Sequence, residues 1–187
     1  MYLLALPEHD VILRMPLTIS NSWVIIMKIT APYTDGTLHD IQKLIAPLRR
    51  LGKTVITTNG CFDLLHSGHI KYLHDAAMQG DLLVVGVNSD SSVSRLKGPL
   101  RPIQKEQDRV FLVQALKVVD YAFIFYEDDP CAFLEILRPD IHVKGGDYRS
   151  EELPETGVVE KYGGRICIVP FAHGYSTTSL IDRVRSQ

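Results

Sequence analysis

Residues 59–69 read NGCFDLLHSGH, and this stretch is the most informative part of the chain. It follows an apolar, β-rich segment, Lys53 to Thr58, and leads into a helical segment that begins at Ile70. Its two histidines, His66 and His69, are three residues apart, so they share one face of the first helical turn. The order of strand, glycine-containing loop and helix begins an alternating α/β pattern.

The start of this helix predicts a phosphate-binding site. The unpaired backbone N–H groups of a first helical turn point at one spot, with the positive end of the helix dipole behind them. Gly60 and Gly68 have no side chain that would keep a triphosphate away from the backbone. His66 and His69 are candidate catalytic donors to the phosphate oxygens. The other candidate nucleotide-binding residues of this stretch are Asn59, Cys61 and Phe62.

Competing interpretations remain open for residues of this stretch. A single histidine at a helix start is commonly a solvated or capping residue, whereas a pair directly after a strand favours a ligand site. Phe62 is expected to place its ring in the core while its backbone N–H faces phosphate. Asp63 is a candidate acceptor-binding residue, which either orients an imidazole or contacts a substrate hydroxyl; the alternative is a cap of the turn.

The rest of the chain alternates between short apolar strands and amphipathic helices. A leading helix, Thr37 to Leu51, has apolar residues at helical spacing, with a break expected at Pro47. The strand candidates are Thr54 to Thr58, Leu82 to Asn88, Tyr121 to Phe125, Ile141 to Lys144 and Arg165 to Val169. The helix candidates are Ile70 to Gln79, Glu106 to Val118, Cys131 to Leu137, Pro154 to Tyr162 and Thr178 to Val184. We therefore predict a doubly wound, parallel, five-stranded Rossmann-like α/β sheet.

The informative motifs follow the predicted strands, where ligands bind in such sheets. NGCFDLLHSGH follows the first strand, NSD the second, KGGDY the fourth and HGYSTT the fifth. The run Ser89 to Ser92 is typical of a helix N-cap. Because the carboxyl ends of parallel strands meet at one edge, these motifs are expected to form a single site.

Three basic residues are candidates for contact with anionic groups. The segment RLKGPLRP is expected to be an irregular loop that folds over an anion, with a solvated loop as the alternative. Within it, Lys97 is the candidate for a catalytic, phosphate-bridging role and Arg101 for acceptor binding. Arg109 is a further acceptor-binding candidate, with a surface salt bridge to Glu106 or Asp108 as the alternative.

Two later motifs supply the remaining candidates. KGGDY ends a strand in two glycines, so its backbone either passes close to a ligand or adopts positive φ. Lys144 and Gly145 are predicted to bind the nucleotide and Asp147 the acceptor, through contacts with base or sugar. Hydroxyls at the start of the last helix either cap it or hold a β- or γ-phosphate. These hydroxyls belong to Ser176, Thr177 and Thr178.

Composition narrows the class of protein further. A chain of 187 residues with a net charge of −2 is no strongly basic nucleic-acid binder, so any phosphate site must be basic locally. The three cysteines are odd in number and lack metal-ligand spacing, which favours a reduced cytoplasmic setting without a metal site. Apolar stretches are too short to span a membrane.

With these motifs assembled, HxGH resembles the signature of the nucleotidyltransferase superfamily. From about Thr37 to Val184 the chain resembles the bacterial D-glycero-β-D-manno-heptose 1-phosphate adenylyltransferases, as stand-alone enzymes and as the C-terminal domain of bifunctional heptose kinases. The resemblance rests, in order, on TNGCFDLLHSGH, VNSDSSVSRLKGPLRP, VDYAFIFYEDDP, LRPDIHVKGGDY and GYSTTSLI. We therefore divide the chain into an N-terminal extension, residues 1–36, with Met27 as an alternative native start, and a nucleotidyltransferase domain, residues 37–187.

This resemblance implies transfer of AMP from ATP to heptose 1-phosphate, which yields ADP-heptose for lipopolysaccharide or surface glycans and releases pyrophosphate. It implies small-molecule substrates, Mg²⁺ that arrives with the triphosphate, and no nucleic-acid or membrane partner; a homo-oligomer stays open. The acceptor phosphate is already an anion, so positioning and charge stabilisation are expected to carry the catalysis.

Other functions remain as alternatives. The cytidylyltransferase branch shares HxGH and a lysine that matches Lys97. This chain lacks that branch's arginine in R-T-x-G-x-S-T, because it reads Pro170 to His173 before Gly174. A glycerol 3-phosphate cytidylyltransferase, an FMN adenylyltransferase and a non-catalytic nucleotide-binding module are the alternatives that we carry forward.

Overall fold

A parallel sheet with helices on both faces organises the part of the chain that the computed structural model describes, residues 38–146, 149–170 and 177–186. The expected N-terminal extension and two of the candidate site residues, Asp147 and Ser176, lie outside these ranges. Within them, no helix is long and apolar enough to cross a membrane.

Strands and helices alternate along the chain as the apolar pattern predicts. The strands are β1 (Val55–Gly60), β2 (Leu82–Asn88), β3 (Tyr121–Phe125), β4 (Ile141–Gly145) and β5 (Arg165–Val169). The helices are α1 (Leu38–Arg50), α2 (Ser67–Ala77), α3 (Asp90–Lys97), α4 (Glu106–Gln114), α5 (Cys131–Leu137), α6 (Thr156–Lys161) and α7 (Thr177–Arg185), with a 3₁₀ turn at Ser150–Glu152. The predicted fold class is confirmed.

The strand order β3-β2-β1-β4-β5 creates a crevice at one edge of the sheet. All four strand pairings are parallel, and the central strand β1 pairs with β2 on one side and with β4 on the other. The chain therefore builds outward from β1 to β3 and then returns to the opposite side of β1. Ligands of doubly wound sheets bind outside the carboxyl ends of the strands at this change of direction.

Apolar side chains cover both faces of the sheet. Val55 and Ile56 are both fully buried, and because successive strand residues point to opposite faces, they belong to two different core clusters. Residues of α2 and α4 pack into the cluster of Ile56, and residues of α1, α5 and α6 into that of Val55. Burial on both faces explains why the strands are apolar throughout.

The prediction that RLKGPLRP is a wholly irregular loop is wrong, because its first three residues form the end of α3. The Ser89 side chain accepts a hydrogen bond from the Ser92 N–H over 3.2 Å, which confirms the predicted N-cap. Val93 is fully buried and anchors this short helix to the core. Gly98 ends it with a φ of +97°, a conformation that favours glycine.

Several helix predictions also differ from the structure in their details; α2, for example, begins at Ser67 rather than Ile70. α1 continues through Pro47 to Arg50, although a break was expected there. α4 ends at Gln114. The predicted end at Val118 is wrong, because the apolar pattern on which it was based continues beyond the helix. Leu116 and Val118 pack against the core from the turn that follows, so apolar spacing alone overestimates the helix length.

Candidate active site

The candidate site lies at the carboxyl ends of β1 and β4, where the direction of strand addition changes. β1 ends in Asn59 and Gly60, and β4 ends in Lys144 and Gly145. The Lys144 ammonium donates to the Asn59 side-chain oxygen over 3.1 Å, which ties the two strand ends together. A Cβ on Gly60 would lie 3.0 Å from the ring of Phe62, closer than most Cβ contacts in proteins, so this turn favours a residue without a side chain.

The two histidines of HxGH stand together at the start of α2. His66 is the N-cap residue, and its Nδ1 accepts the backbone N–H of His69 over 3.3 Å. The rings stack with their centroids 3.8 Å apart and an interplanar angle of 17°. In a neutral His66 the proton therefore resides on Nε2. His69 Nδ1 is buried without a hydrogen-bond partner among the described residues.

Burial sets the charge of this pair. Burial and, to a smaller extent, the neighbouring His66 together lower the pKa of His69 to about 4. The pKa of His66 is also lowered by burial. Both rings of the protein alone are therefore neutral at pH 7, and a protonated ring would need the negative charge of a bound triphosphate to raise its pKa.

Phe62 and Cys61 shape the loop between β1 and α2. Phe62 has a φ of +47° and is buried in the core, as expected, where its ring makes an edge contact with His69 at a centroid distance of 5.4 Å. The Cys61 carbonyl accepts a hydrogen bond from Arg109 over 2.6 Å. This loop therefore rests on the core at one residue and on a buried guanidinium at the next.

Both carboxylate oxygens of Asp63 accept hydrogen bonds within the protein, and none of the donors among the described residues is an imidazole. Asp63 is only 1 % exposed and accepts from Arg101 Nε over 2.5 Å. It also accepts the backbone N–H groups of Ile103 and Gln104 over 2.7 and 3.0 Å. Asp63 thus fastens the loop after α3 to the loop before α2. Its side-chain partner in these contacts, Arg101, is itself an expected acceptor-binding residue.

Arg109 is fully buried and makes contacts that differ from the predicted surface salt bridge. Its guanidinium donates to the carbonyls of Gln104 and Cys61 over 3.0 and 2.6 Å, and to the Asp90 carboxylate over 2.8 Å. Glu106 instead accepts the Asp90 backbone N–H over 2.6 Å. The guanidinium is thereby engaged inside the protein, which is the geometry of a support for the site rather than of direct substrate contact.

The basic residues gather around the loop that precedes the histidines. Burial raises the pKa of the Cys61 thiol, and the charges of Lys97, Arg109 and Arg101 oppose that rise. All three cations therefore act on the same point of the loop. Lys97, the last residue of α3, is exposed. Two of these cations are paired with carboxylates, Arg101 with Asp63 and Arg109 with Asp90.

Pattern reading missed two buried residues beside Lys144. Glu155 is 1 % exposed and its Oε1 lies 2.6 Å from Lys144 Nζ. His142, to which the sequence assigned no role, is fully buried with Nδ1 2.8 Å from the Thr57 hydroxyl. Burial and, to a smaller extent, the charge of Lys144 together lower the pKa of His142 to about 3. Thr57 and His142 are polar residues within the otherwise apolar strands β1 and β4, and this is the sequence signal that could have pointed to a buried polar cluster.

Two further predictions concern the last helix and metal binding. Thr177 and Thr178 are the first two residues of α7, as the hydroxyl cluster predicts, but their roles stay predictions. Among the described residues, no group of three or more histidine, cysteine, aspartate or glutamate side chains could hold a metal ion.

The chain belongs to the cytidylyltransferase-like family, whose model matches residues 57–183. Membership places it among the nucleotidyltransferase enzymes, which use a nucleoside triphosphate. The matched residues include both strand ends of the site, the HxGH pair and Lys97.

Individual relatives are similar over most of this chain. The bifunctional protein HldE of Syntrophotalea carbinolica is 54 % identical over 146 residues, 78 % of this chain and 30 % of the relative. HldE of Trichlorobacter lovleyi is 50 % identical over 144 residues, 77 % of this chain and 29 % of the relative. The chain thus spans about a third of the length of these curated relatives.

A solved structure shares the fold. The lipopolysaccharide core biosynthesis protein from Thermoplasma volcanium superposes with a TM-score of 0.54 and is 34 % identical. The match covers 65 % of this chain and 98 % of that protein.

Proposed function

We propose that this chain transfers AMP from ATP to D-glycero-β-D-manno-heptose 1-phosphate and releases pyrophosphate. The stacked HxGH pair at the N-terminus of α2 is the observation that carries the proposal, because two imidazoles at a first helical turn beside the crevice favour a phosphate group. The names of the relatives, HldE and a lipopolysaccharide core biosynthesis protein, support the heptose acceptor and a role in lipopolysaccharide synthesis.

The reaction is a direct displacement at the α-phosphate of ATP. An oxygen of the acceptor phosphate forms a bond to the α-phosphorus, and the bond between this phosphorus and the oxygen that bridges to the β-phosphate breaks. That oxygen leaves with the pyrophosphate. The acceptor oxygen is already ionised, so no base has to remove a proton, and charge stabilisation on the two anions lowers the barrier.

The histidines and Lys97 supply this stabilisation in our proposal. His66 and His69 donate to triphosphate oxygens; the Nδ1 of His66 accepts the His69 N–H, so His66 would donate from Nε2. Lys97 bridges acceptor and α-phosphate from the end of α3. Asn59, Gly60, Lys144 and the hydroxyls of α7 complete the nucleotide site.

Mg²⁺ enters as part of the nucleotide substrate. The described residues offer no cluster of carboxylates for a resident ion, and the oxygens of Asp63 are engaged with Arg101 and backbone N–H groups. The ion would therefore be held by triphosphate oxygens and water, where it neutralises phosphate charge. The three cysteines are free thiols, in keeping with the cytoplasmic location that we propose.

A pyrophosphate-release screen tests the function. ATP and CTP are each combined with heptose 1-phosphate, glycerol 3-phosphate, FMN and no acceptor. Release with ATP and heptose 1-phosphate is the expected result. Release with CTP alone, or with a non-sugar acceptor alone, refutes the proposal, and nucleotide binding without release with any acceptor identifies a non-catalytic module.

A further inference from the structure

Lys97 lies at the outer end of a segment that leaves the sheet after β2 and returns to it at α4. The segment contains α3, which ends at Lys97, and the loop that follows as far as Gln104. We call residues 90–104 the α3 arm. Lys97 is exposed, and Leu100, further along the arm, is 76 % exposed. The position of Lys97 therefore depends on contacts that the arm makes elsewhere.

Arg109 of α4 joins both ends of the α3 arm to the loop before the histidines. Its guanidinium donates to the Asp90 carboxylate over 2.8 Å and to the Gln104 carbonyl over 3.0 Å. It also donates to the Cys61 carbonyl over 2.6 Å. Arg109 is fully buried, so it has no exposed surface with which to contact an acceptor. Its planar fork reaches three segments at once, which a lysine ammonium on a flexible stem does not reproduce.

Two carboxylates hold the same two ends of the arm. Glu106 accepts the Asp90 backbone N–H over 2.6 Å, and Asp63 accepts the Gln104 backbone N–H over 3.0 Å. Each end is therefore bound twice, and Arg109 is the residue common to both ends. Because Asp63 belongs to the loop between β1 and α2, these contacts fasten the arm to the loop that leads to the histidines.

The other contacts of α3 define its direction less well. Val93 is fully buried, but apolar burial is non-directional. Arg95 pairs with Asp128, and because their side chains are 50 % and 52 % exposed, this ion pair is weak. Asp90 and Lys97 are the first and last residues of α3, about 10 Å apart along its axis. A tilt of about 6° at Asp90 would move Lys97 by about 1 Å, and such a displacement in an active site can lower the rate about 100-fold.

We propose that Arg109 is a positioning residue for the transfer reaction. It fixes the direction of the α3 arm relative to the loop before α2, so that Lys97 and the HxGH histidines face the same phosphate groups. This indirect role replaces the acceptor contact that the sequence predicts for Arg109. The inference rests on the proposed nucleotidyl transfer with Lys97 as a catalytic residue.

A double-mutant cycle measured by pyrophosphate release tests the role of Arg109. Arg109→Lys keeps the positive charge but loses the planar fork, and it is expected to lower kcat about 30- to 100-fold. KM for ATP and KM for heptose 1-phosphate should each change by less than about threefold, because no contact with either substrate is removed. In the Lys97→Met background, Arg109→Lys should lower kcat by less than about twofold, because the side chain that Arg109 positions is absent.

Further variants supply the controls. Arg50→Lys, at an exposed arginine of α1, is the matched control and should turn over like the unmodified chain. Should Arg109→Lys fail to fold, Asp90→Asn takes its place, because the side chain of Asp90 is 41 % exposed. It should lower kcat about tenfold, with the same dependence on Lys97. Asp108→Asn, at an exposed carboxylate of α4, is the control for that variant.

Hydrogen exchange reports on the arm without turnover. Arg109→Lys should speed amide exchange in residues 90–104 and leave exchange in β4 and β5 unchanged. Unchanged exchange of the arm refutes the inference by itself, whereas an unmodified chain that releases no pyrophosphate with any substrate pair refutes the proposed function.

Two kinetic results would also overturn the inference. A rise in KM for heptose 1-phosphate with kcat unchanged in Arg109→Lys indicates a direct acceptor contact. A loss of kcat that is equal with and without Lys97 shows that Arg109 acts through the fold and not through the position of that lysine.

Discussion

Replacing Asp63 with asparagine tests whether one buried carboxylate fastens the loop that follows α3. The carboxylate accepts Arg101 Nε on one oxygen and the N–H groups of Ile103 and Gln104 on the other. Asparagine has the same shape, but it removes the charge and turns one of the two acceptors into a donor. Either the guanidinium or the pair of N–H groups must then face a donor.

The expected cost follows from the burial of the partners. Removing one member of a buried ion pair costs about 3–5 kcal/mol, because the remaining charge is left unpaired. The side chain of Asp63 is 1 % exposed and that of Arg101 16 %, so water compensates Arg101 in part and the lower end of this range applies. We expect the free energy of unfolding to fall by about 3 kcal/mol, and pyrophosphate release to slow because the loop next to Lys97 loses its attachment.

Urea denaturation followed by circular dichroism measures the change, with pyrophosphate release measured in parallel. Asp128→Asn is the matched control, because Asp128 is an exposed carboxylate that pairs with an exposed arginine, Arg95. It should unfold and turn over like the unmodified chain. An Asp63→Asn variant that keeps both its unfolding free energy and its turnover would refute the reasoning, since a partly buried guanidinium or two backbone N–H groups that lose their acceptor must weaken one of them.

The remaining predictions concern two histidines. His69→Ala should lower kcat by about 10²- to 10³-fold with a smaller effect on KM for ATP, because one preorganised donor is lost; His74→Ala, exposed on α2, is the control, and near-normal turnover of His69→Ala would remove this ring from the mechanism. His142 has a pKa of about 3 in the folded chain against about 6.5 when unfolded, so the unfolded state binds its proton first and stability falls as the pH drops below 6.5. Between pH 7 and pH 5 this loss is about 2 kcal/mol. Urea denaturation at pH 7 and at pH 5 should show that the unfolding free energy of His142→Asn changes with pH by that much less than the unfolding free energy of the unmodified chain. An equal change in the two proteins would contradict the low pKa assigned to His142.

Local sequence was sufficient for the fold and for the position of the candidate site at the carboxyl ends of the strands. Strand bounds at β2, β3 and β5 match the apolar runs, because strands buried on both faces need apolar residues throughout. The pairing of His66 with His69 was also readable, since residues three apart on a helix share a face. The end of α4 was not, because an apolar residue in a turn looks the same in sequence as one in a helix.

What the sequence by itself determined is the alternating α/β pattern, the paired histidines at the turn after β1 and the loops that meet at one edge of the sheet. Only the tertiary structure decided the roles of Asp63, Arg109 and Glu155. Each is a charged residue whose partners lie far along the chain or across a loop, and charge alone does not reveal burial. The adjacency of β1 and β4 brings Asn59 and Lys144 together across 85 positions of sequence, and this long-range pairing is invisible to local patterns.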